Sequence, residues 1–245
     1  IKKLYHKLKP NVYEINRKIS DKIGSYSSFE GSPTSEGKFQ FDMWNFDPRE
    51  LKYNWSNLKD EVMRYGIRNS LLVALMPTAS TSQILSNNEC FEFFTSNIYT
   101  RNTLAGDFPI INKYMVNDLI DIGEWNSDLK DLMIAGNGSI QHITFLPKIF
   151  LRLYQTQWEL KQIWVLKAAK ARGPFVDQTQ SMNIFMAEPN DQKLNSCLFW
   201  GWENGLKSGI YYLRTKPSTN AIKVTIDPRL LQKVEKSEEC ELCSA

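Results

Sequence analysis

Along the chain, the spacing of apolar residues alternates between helical and strand-like, with clusters of Gly, Pro and Ser at the changes. Residues 1–23 read as a charged amphipathic helix that Pro10 ends or kinks, because proline lacks the N–H the helix needs there. Gly24 to Gly37 is loop, and Phe39-Gln40-Phe41-Asp42-Met43 alternates as a short strand would. Asp47, Pro48 and Glu50 form a helix start with the spacing of a reciprocal cap, and Gly66 stops that helix after Tyr65. An apolar run from Ser70 to Met76 then feeds the turn Pro77-Thr78-Ala79-Ser80-Thr81 and a helix-like run. The stretches 87–92 and 95–101 are polar and loop-like. Short helices are expected near 113–122 and 127–135, and a long one from Pro147 to Arg172, closed by Gly173-Pro174. Strands are expected at 183–187, 209–215 and 223–226, with a helix at 191–206. The alternation argues for an α/β fold. There is no internal repeat and no domain boundary before a polar tail that starts at Arg229.

Composition narrows the class without choosing a function. At 42% hydrophobic and 23% charged residues, the 245-residue chain has the make-up of a globular protein with a sizeable core. A net charge of +3, with no basic patch interleaved with aromatics, does not argue for nucleic acid. No apolar run reaches membrane-spanning length, and the first residues lack the apolar segment of a signal peptide. Without an initiating Met, the sequence reads as a piece of something longer. Four cysteines do not make a disulfide scaffold, so a reducing, cytoplasmic setting is expected. With only His6 and His142, the residue set argues against a histidine-rich metal site, and no metal is expected.

Four constellations could carry chemistry. The turn Thr78-Ala79-Ser80-Thr81 combines hydroxyls with backbone N–H groups at a helix start, a recipe for holding phosphate; its plainer reading is a Ser or Thr that caps the helix. Tyr211-Tyr212 is either one core ring and one surface ring on a strand, or a pair of phenols that exchange an electron and a proton. Cys240-x-x-Cys243 is half a zinc site without its other half, or a dithiol on a mobile tail suited to thiol–disulfide exchange. Asn88-Glu89-Cys90 sets a carboxylate beside a thiol, although a lone Cys next to an aromatic is more often a packing residue. Cys197, on the apolar face of Leu194-x-x-Cys197-Leu198-Phe199, is expected in the core.

Several longer blocks, taken in order, resemble the large subunit of eukaryotic-type class I ribonucleotide reductase. They are Arg68 to Ala74, Met76 to Thr81, Thr95 to Arg101, Asn137 to Gln141, Asp177 to Asn183 and Gly209 to Thr215, with the terminal Cys-x-x-Cys in the family's place. The resemblance implies the C-terminal part of a ten-stranded α/β barrel, incomplete as given, over residues 1–228, and a flexible redox tail over 229–245. It implies that Thr78, Ala79, Ser80 and Thr81 hold the substrate diphosphate, that Tyr211 and Tyr212 relay a radical, and that Cys240 and Cys243 re-reduce the active site. The implied partners are a nucleoside diphosphate, the small subunit with its di-iron/tyrosyl radical cofactor, thioredoxin or glutaredoxin, and a second large subunit in a homodimer. The family's radical-cysteine finger loop, its paired active-site cysteines and its allosteric sites have no counterpart in this sequence, so the isolated chain is expected to be inactive. Leu75, Phe93, Asn102 and Trp200 stand where the family usually has Pro, Pro, Arg and Tyr. They motivate a rival reading, a split or degenerate paralogue that binds a reductase subunit as a regulator; a third reading is a stand-alone phosphate-binding α/β protein with other chemistry. Cys240 lies eleven positions beyond Arg229, a reach of at most about 40 Å.

Overall fold

The computed structural model describes residues 2–47 and 53–216, with residues 2–8 described by backbone alone. The expected helix start at Asp47–Glu50, the strand at 223–226 and the Cys240-x-x-Cys243 tail therefore lie partly or wholly outside the described residues. In order, the elements are α1 (Lys2–Ile23), α2 (Gln40–Met43), α3 (Trp55–Tyr65), α4 (Thr81–Ile84), β1 (Ile98–Thr103) and β2 (Gly106–Ile111). These are followed by α5 (Lys113–Asp121), α6 (Ser127–Ala135), α7 (Lys148–Leu153), α8 (Ile163–Arg172), a 3-10 turn (Gly173–Phe175), β3 (Ile184–Phe185), α9 (Asp191–Glu203) and β4 (Leu213–Arg214). The fold is a partial α/β arrangement. Among the described residues the strands form two two-stranded sheets, β1–β2 and β3–β4, and no closed barrel.

The chain divides into two compact units. The first comprises Ile1–Phe91, Gln162–Ile184 and Glu188–Arg214. Its main core is aromatic: Tyr13 stacks on Phe39 at 4.4 Å, Phe41 meets Trp55 edge-on at 4.7 Å, and Leu58, Val62 and Ile67 complete the cluster. Asn54 caps α3 by accepting the Asn57 N–H, and Gly66, at φ 72°, ends that helix as expected. Phe39 to Met43 is a helical turn rather than a strand, because the Asp42 carboxylate takes the Phe39 N–H at 2.7 Å and closes the turn.

Helix α1 runs unbroken through Pro10. The missing N–H loses one bond, while the Lys9 ion pair and the Tyr13 stack anchor the helix around it. Its inward side is unusually polar, with Lys9, Asn16 and Ser20 buried beside Tyr13, whereas Ile15, Ile19 and Ile23 face solvent. Each inward group is bonded: Asn16 accepts from Asn69 at 2.6 Å, and Ser20 donates to the Tyr65 carbonyl at 3.1 Å.

Lys9 reaches Asp177 at 2.5 Å, and the other carboxylate oxygen accepts the N–H groups of Leu72 and Val73, both at 2.9 Å. The run expected as a strand at Ser70–Met76 is thereby laid extended along 177–181. The Asp177 N–H donates to Val73, the Ser181 N–H donates to Leu75, and Leu75 bridges Gln180 in parallel. Lys207 adds bonds to the Val176 and Asp177 carbonyls.

The second unit comprises Glu92–Lys161, Phe185–Ala187 and Thr215–Ala245. Here the stretch expected as loop at 95–101 enters an antiparallel hairpin, with Ile98 opposite Ile111 and Thr103 opposite Gly106. Most of its side chains are exposed on both faces, so the sequence carries no alternation to reveal it. Asn97 braces the hairpin: its amide donates to the Gly138 and Tyr154 carbonyls and accepts from Asn112. Helices α5 and α6 lie where expected, capped by Asn112 and Asn126, over a core of Met115, Leu119, Leu129, Met133, Ile140 and Ile143. The single long helix expected from Pro147 to Arg172 is instead two, α7 and α8. Between them the Thr156 N–H donates to Glu159 and the Gln157 N–H to the Phe94 carbonyl, so tertiary bonds replace helical ones.

Burying the Lys9 ammonium lowers its pKa, a desolvation cost that Asp177 partly offsets. Lys9→Ala leaves the carboxylate buried without its cation, and urea unfolding of this variant is expected to show a loss of about 3 kcal/mol or more, with Lys9→Met combined with Asp177→Asn costing less than the two single changes summed. In the second unit, a Cβ on Gly138 (φ 82°) would stand 1.8 Å from the Ser96 hydroxyl and 2.9 Å from the Asn97 nitrogen. Gly138→Ala is expected to abolish cooperative unfolding of that unit, as read by amide exchange of residues 113–135.

Candidate active site

The turn after Pro77 is built around a strained residue. Thr78 adopts φ 56°, in the left-handed region, and its hydroxyl donates back to the Pro77 carbonyl at 2.7 Å. Its carbonyl accepts the Ser82 N–H at 2.9 Å, opening α4, which is only four residues long. Ser80 sits at the cap position without making a side-chain cap, so the plain capping reading does not hold. Ala79, Ser80 and Thr81 are exposed, and among the described residues their N–H groups donate to no protein acceptor. Beneath them the Ser82 hydroxyl is buried without a partner among the described residues. Three free N–H groups with the Ser80 and Thr81 hydroxyls form a cluster of donors suited to an anion.

The far end of this segment returns to its start, where the Cys90 N–H donates to the Pro77 carbonyl at 2.7 Å. Cys90, at φ 50°, is half-buried, and its sulfur accepts from the Asn183 amide at 3.7 Å. The Asn183 side-chain oxygen accepts the Tyr212 N–H at 3.1 Å. One buried side chain thus joins the end of the Pro77–Cys90 segment to the tyrosine pair.

Tyr211 and Tyr212 precede β4 rather than lying in it, so strand alternation does not send their rings to opposite faces. The centroids are 4.3 Å apart at 64°. The Tyr211 N–H is held by the Met182 carbonyl at 2.6 Å, and the Tyr212 carbonyl accepts the Ile184 N–H at 3.0 Å. Both rings are about half exposed, and the Arg214 guanidinium lies 4.8 Å over Tyr212. A hydrogen bond with Tyr212 is the main cause holding the Tyr211 phenol above its ordinary pKa; the Tyr212 charge, desolvation and nearby Cys90 add to it, and Arg214 opposes it.

The other expectations separate. Cys197 is half-buried rather than in the core, and desolvation raises its pKa, which leaves little thiolate. Cys240 and Cys243 lie outside the described residues. Among the described residues, no three His, Cys, Asp or Glu are grouped to hold a metal, and no helix is long and apolar enough to cross a membrane. Asn183 was not singled out from the sequence as a working residue. Its signal was an amide set into the apolar run Met182-Asn183-Ile184-Phe185, where a buried polar group must find partners.

A family model described as the barrel domain of ribonucleotide reductase matches residues 1–212. The chain belongs to that family. Ribonucleoside-diphosphate reductase large subunits are similar to it over most of its length. The one from Dictyostelium discoideum is 50% identical over 89% of this chain and 25% of its own length. That from Caenorhabditis elegans is 45% identical over 97% of this chain and 30% of its own length. The chain therefore spans a quarter to a third of these reductase subunits. Among solved structures, the class Id ribonucleotide reductase alpha subunit of Actinobacillus ureae superposes with a TM-score of 0.55 at 24% identity, covering 93% of this chain and 38% of its own. At that identity the likeness speaks to the fold alone.

The Tyr211–Tyr212 bond gives this ribonucleotide reductase chain a spectroscopic handle. A raised phenol pKa keeps Tyr211 protonated above its ordinary value of 10, and the stabilisation it provides is complete below that value and lost as pH rises through the higher folded one. Tyr212→Phe is expected to lower the Tyr211 titration, followed by the fluorine resonance of a fluorotyrosine placed at 211 and compared with the same probe beside Tyr212.

Proposed function

We propose that the chain is the C-terminal part of the ten-stranded catalytic barrel of a ribonucleoside-diphosphate reductase large subunit, working together with the remainder of that subunit. The reaction replaces the 2′-hydroxyl of a ribonucleoside diphosphate by hydrogen. Two thiols supply two electrons and two protons, the hydroxyl leaves as water, and the thiols become a disulfide. The ribose chemistry falls to cysteines this sequence does not hold; this chain's share is substrate anchoring, radical delivery and reduction of the spent thiols.

The carrying observation is that the cluster of free N–H donors and the contacting tyrosine pair are tied to one another within a single unit. At the turn, the N–H groups of Ala79, Ser80 and Thr81 and the hydroxyls beside them hold the diphosphate, with Thr78 kept in its left-handed conformation as the pivot. Fixed donors bind a dianion without rearranging, which places the ribose for reaction. At the pair, each hop moves one electron and one proton. The incoming radical takes both from a phenol, which stays a neutral phenoxyl radical until the next ring or thiol is oxidised in turn. The source is the di-iron/tyrosyl radical of the small subunit, docked on the exposed side of the pair. Afterwards, Cys240 and Cys243 reduce the active-site disulfide by exchange and become a disulfide themselves, which thioredoxin or glutaredoxin reduces. Two large subunits form the working homodimer.

The test is reconstitution with the upstream polypeptide, the small subunit, a nucleoside diphosphate and reductant. Deoxynucleotide formation supports the enzyme; tight small-subunit binding without turnover supports a regulatory paralogue instead. In the active assembly, Tyr212→Phe is expected to abolish turnover with substrate affinity nearly unchanged, and full turnover refutes the relay. Cys240→Ser with Cys243→Ser is expected to stop thioredoxin-driven turnover and spare turnover with dithiothreitol; equal loss with both reductants refutes the tail role.

A further inference from the structure

The tyrosine pair is held by backbone bonds that do not belong to a regular strand, and one of the few side chains among them is Asn183. It is buried and bonds on both sides: its oxygen takes the Tyr212 N–H at 3.1 Å and its nitrogen donates to the Cys90 sulfur at 3.7 Å. Cys90 in turn closes the anion-binding segment through its N–H to the Pro77 carbonyl at 2.7 Å. The Cys90 backbone is left-handed, at φ 50°, so the direction of its side chain is set by that closure. Displacing Cys90 removes an acceptor from one half of the amide, and turning the amide over would bring its NH₂ group against the Tyr212 N–H. A movement of one half is therefore felt by the other.

We propose that Asn183 is a positioning residue that clamps the Tyr211–Tyr212 pair to the closed end of the Pro77–Cys90 segment, with Cys90 serving as hydrogen-bond acceptor rather than as a redox thiol. Its importance for turnover rests on the relay reading above, whereas the clamp itself is a property of this chain. The arrangement gives the subunit one mechanical element in which the seat of the substrate's diphosphate and the radical donors share a side chain. A shift at the segment is then felt at the ring contact, 4.3 Å between centroids, on which phenol-to-phenol transfer depends.

Fluorotyrosine at 211 in the 245-residue chain reports the clamp, because the interaction with Tyr212 is the largest cause of the raised Tyr211 titration. Cys90→Ala removes an acceptor and the thiolate charge, Cys90→Ser removes the charge but keeps an acceptor, and Asn183→Ala removes the amide without adding a charge. The Tyr211 titration is expected to fall clearly further in Cys90→Ala and Asn183→Ala than in Cys90→Ser, where only the contribution of the Cys90 charge is lost. Near-UV circular dichroism confirms that each variant is folded, and Cys90→Ala, a small change at a half-buried site, keeps the test open if Asn183→Ala is not. Wild-type titration in Cys90→Ala overturns the clamp. An equal fall in Cys90→Ser and Cys90→Ala also overturns it, because the effect would then come from the thiol itself. Neither outcome involves turnover, so failure of the relay, read from Tyr212→Phe in the assembled enzyme, is seen separately.

Discussion

The carboxylate of Asp177 is the constraint on which the first unit depends. It is nearly buried, and it is stable there because an ammonium and two peptide N–H groups converge on it from α1 and from Leu72–Val73. That convergence fixes three segments far apart in sequence. It carries α1 past a proline, lays 72–75 alongside 177–181, and so sets where the chain emerges at Pro77 and at Asn183. A buried ion pair adds little net stability compared with apolar packing of similar size, but a mispaired arrangement would leave a charge in the interior, so this one selects register. The donor turn and the tyrosine pair are both positioned downstream of that choice.

The groups assigned a role in the proposal sit where regular structure gives out. Thr78 and Cys90 both take left-handed backbone, α4 stops after four residues, and Tyr211 and Tyr212 precede β4 instead of joining it. Irregular backbone frees N–H groups that a longer helix or strand would consume, and it lets adjacent rings meet. The strain is borne by the cross-connections through Pro77, Asn183 and Met182.

The sequence was most informative where one interaction range decided the outcome. Helices α5 and α6 and the Gly66 stop follow from local caps and helical spacing, and their boundaries were legible to within a residue or two. The β1–β2 hairpin was hidden because water lies on both of its faces and no alternation is imposed. The break between α7 and α8 was hidden because its cause is the Phe94 carbonyl, more than sixty residues from Gln157 in sequence. The donor turn was legible from residue type alone, and the tyrosine pair only through resemblance, since adjacent residues on an ideal strand would have pointed apart. Asn183 carried only the weak mark of an amide among apolar neighbours. In place of proline, Phe93 contributes an N–H that Gln157 accepts at 3.3 Å, a bond a proline there could not make.

Helix α1 mixes its polarity: Lys9, Asn16 and Ser20 point inward beside Tyr13, while Ile15, Ile19 and Ile23 are exposed at one-turn intervals among Lys18, Asp21 and Lys22. Withdrawing an isoleucine from water is worth about 1.5–3 kcal/mol, so this ridge holds several kcal/mol of unrealised burial. Among the described residues that ridge stays open, and any apolar surface that covers it, including that of a second copy, releases the same free energy.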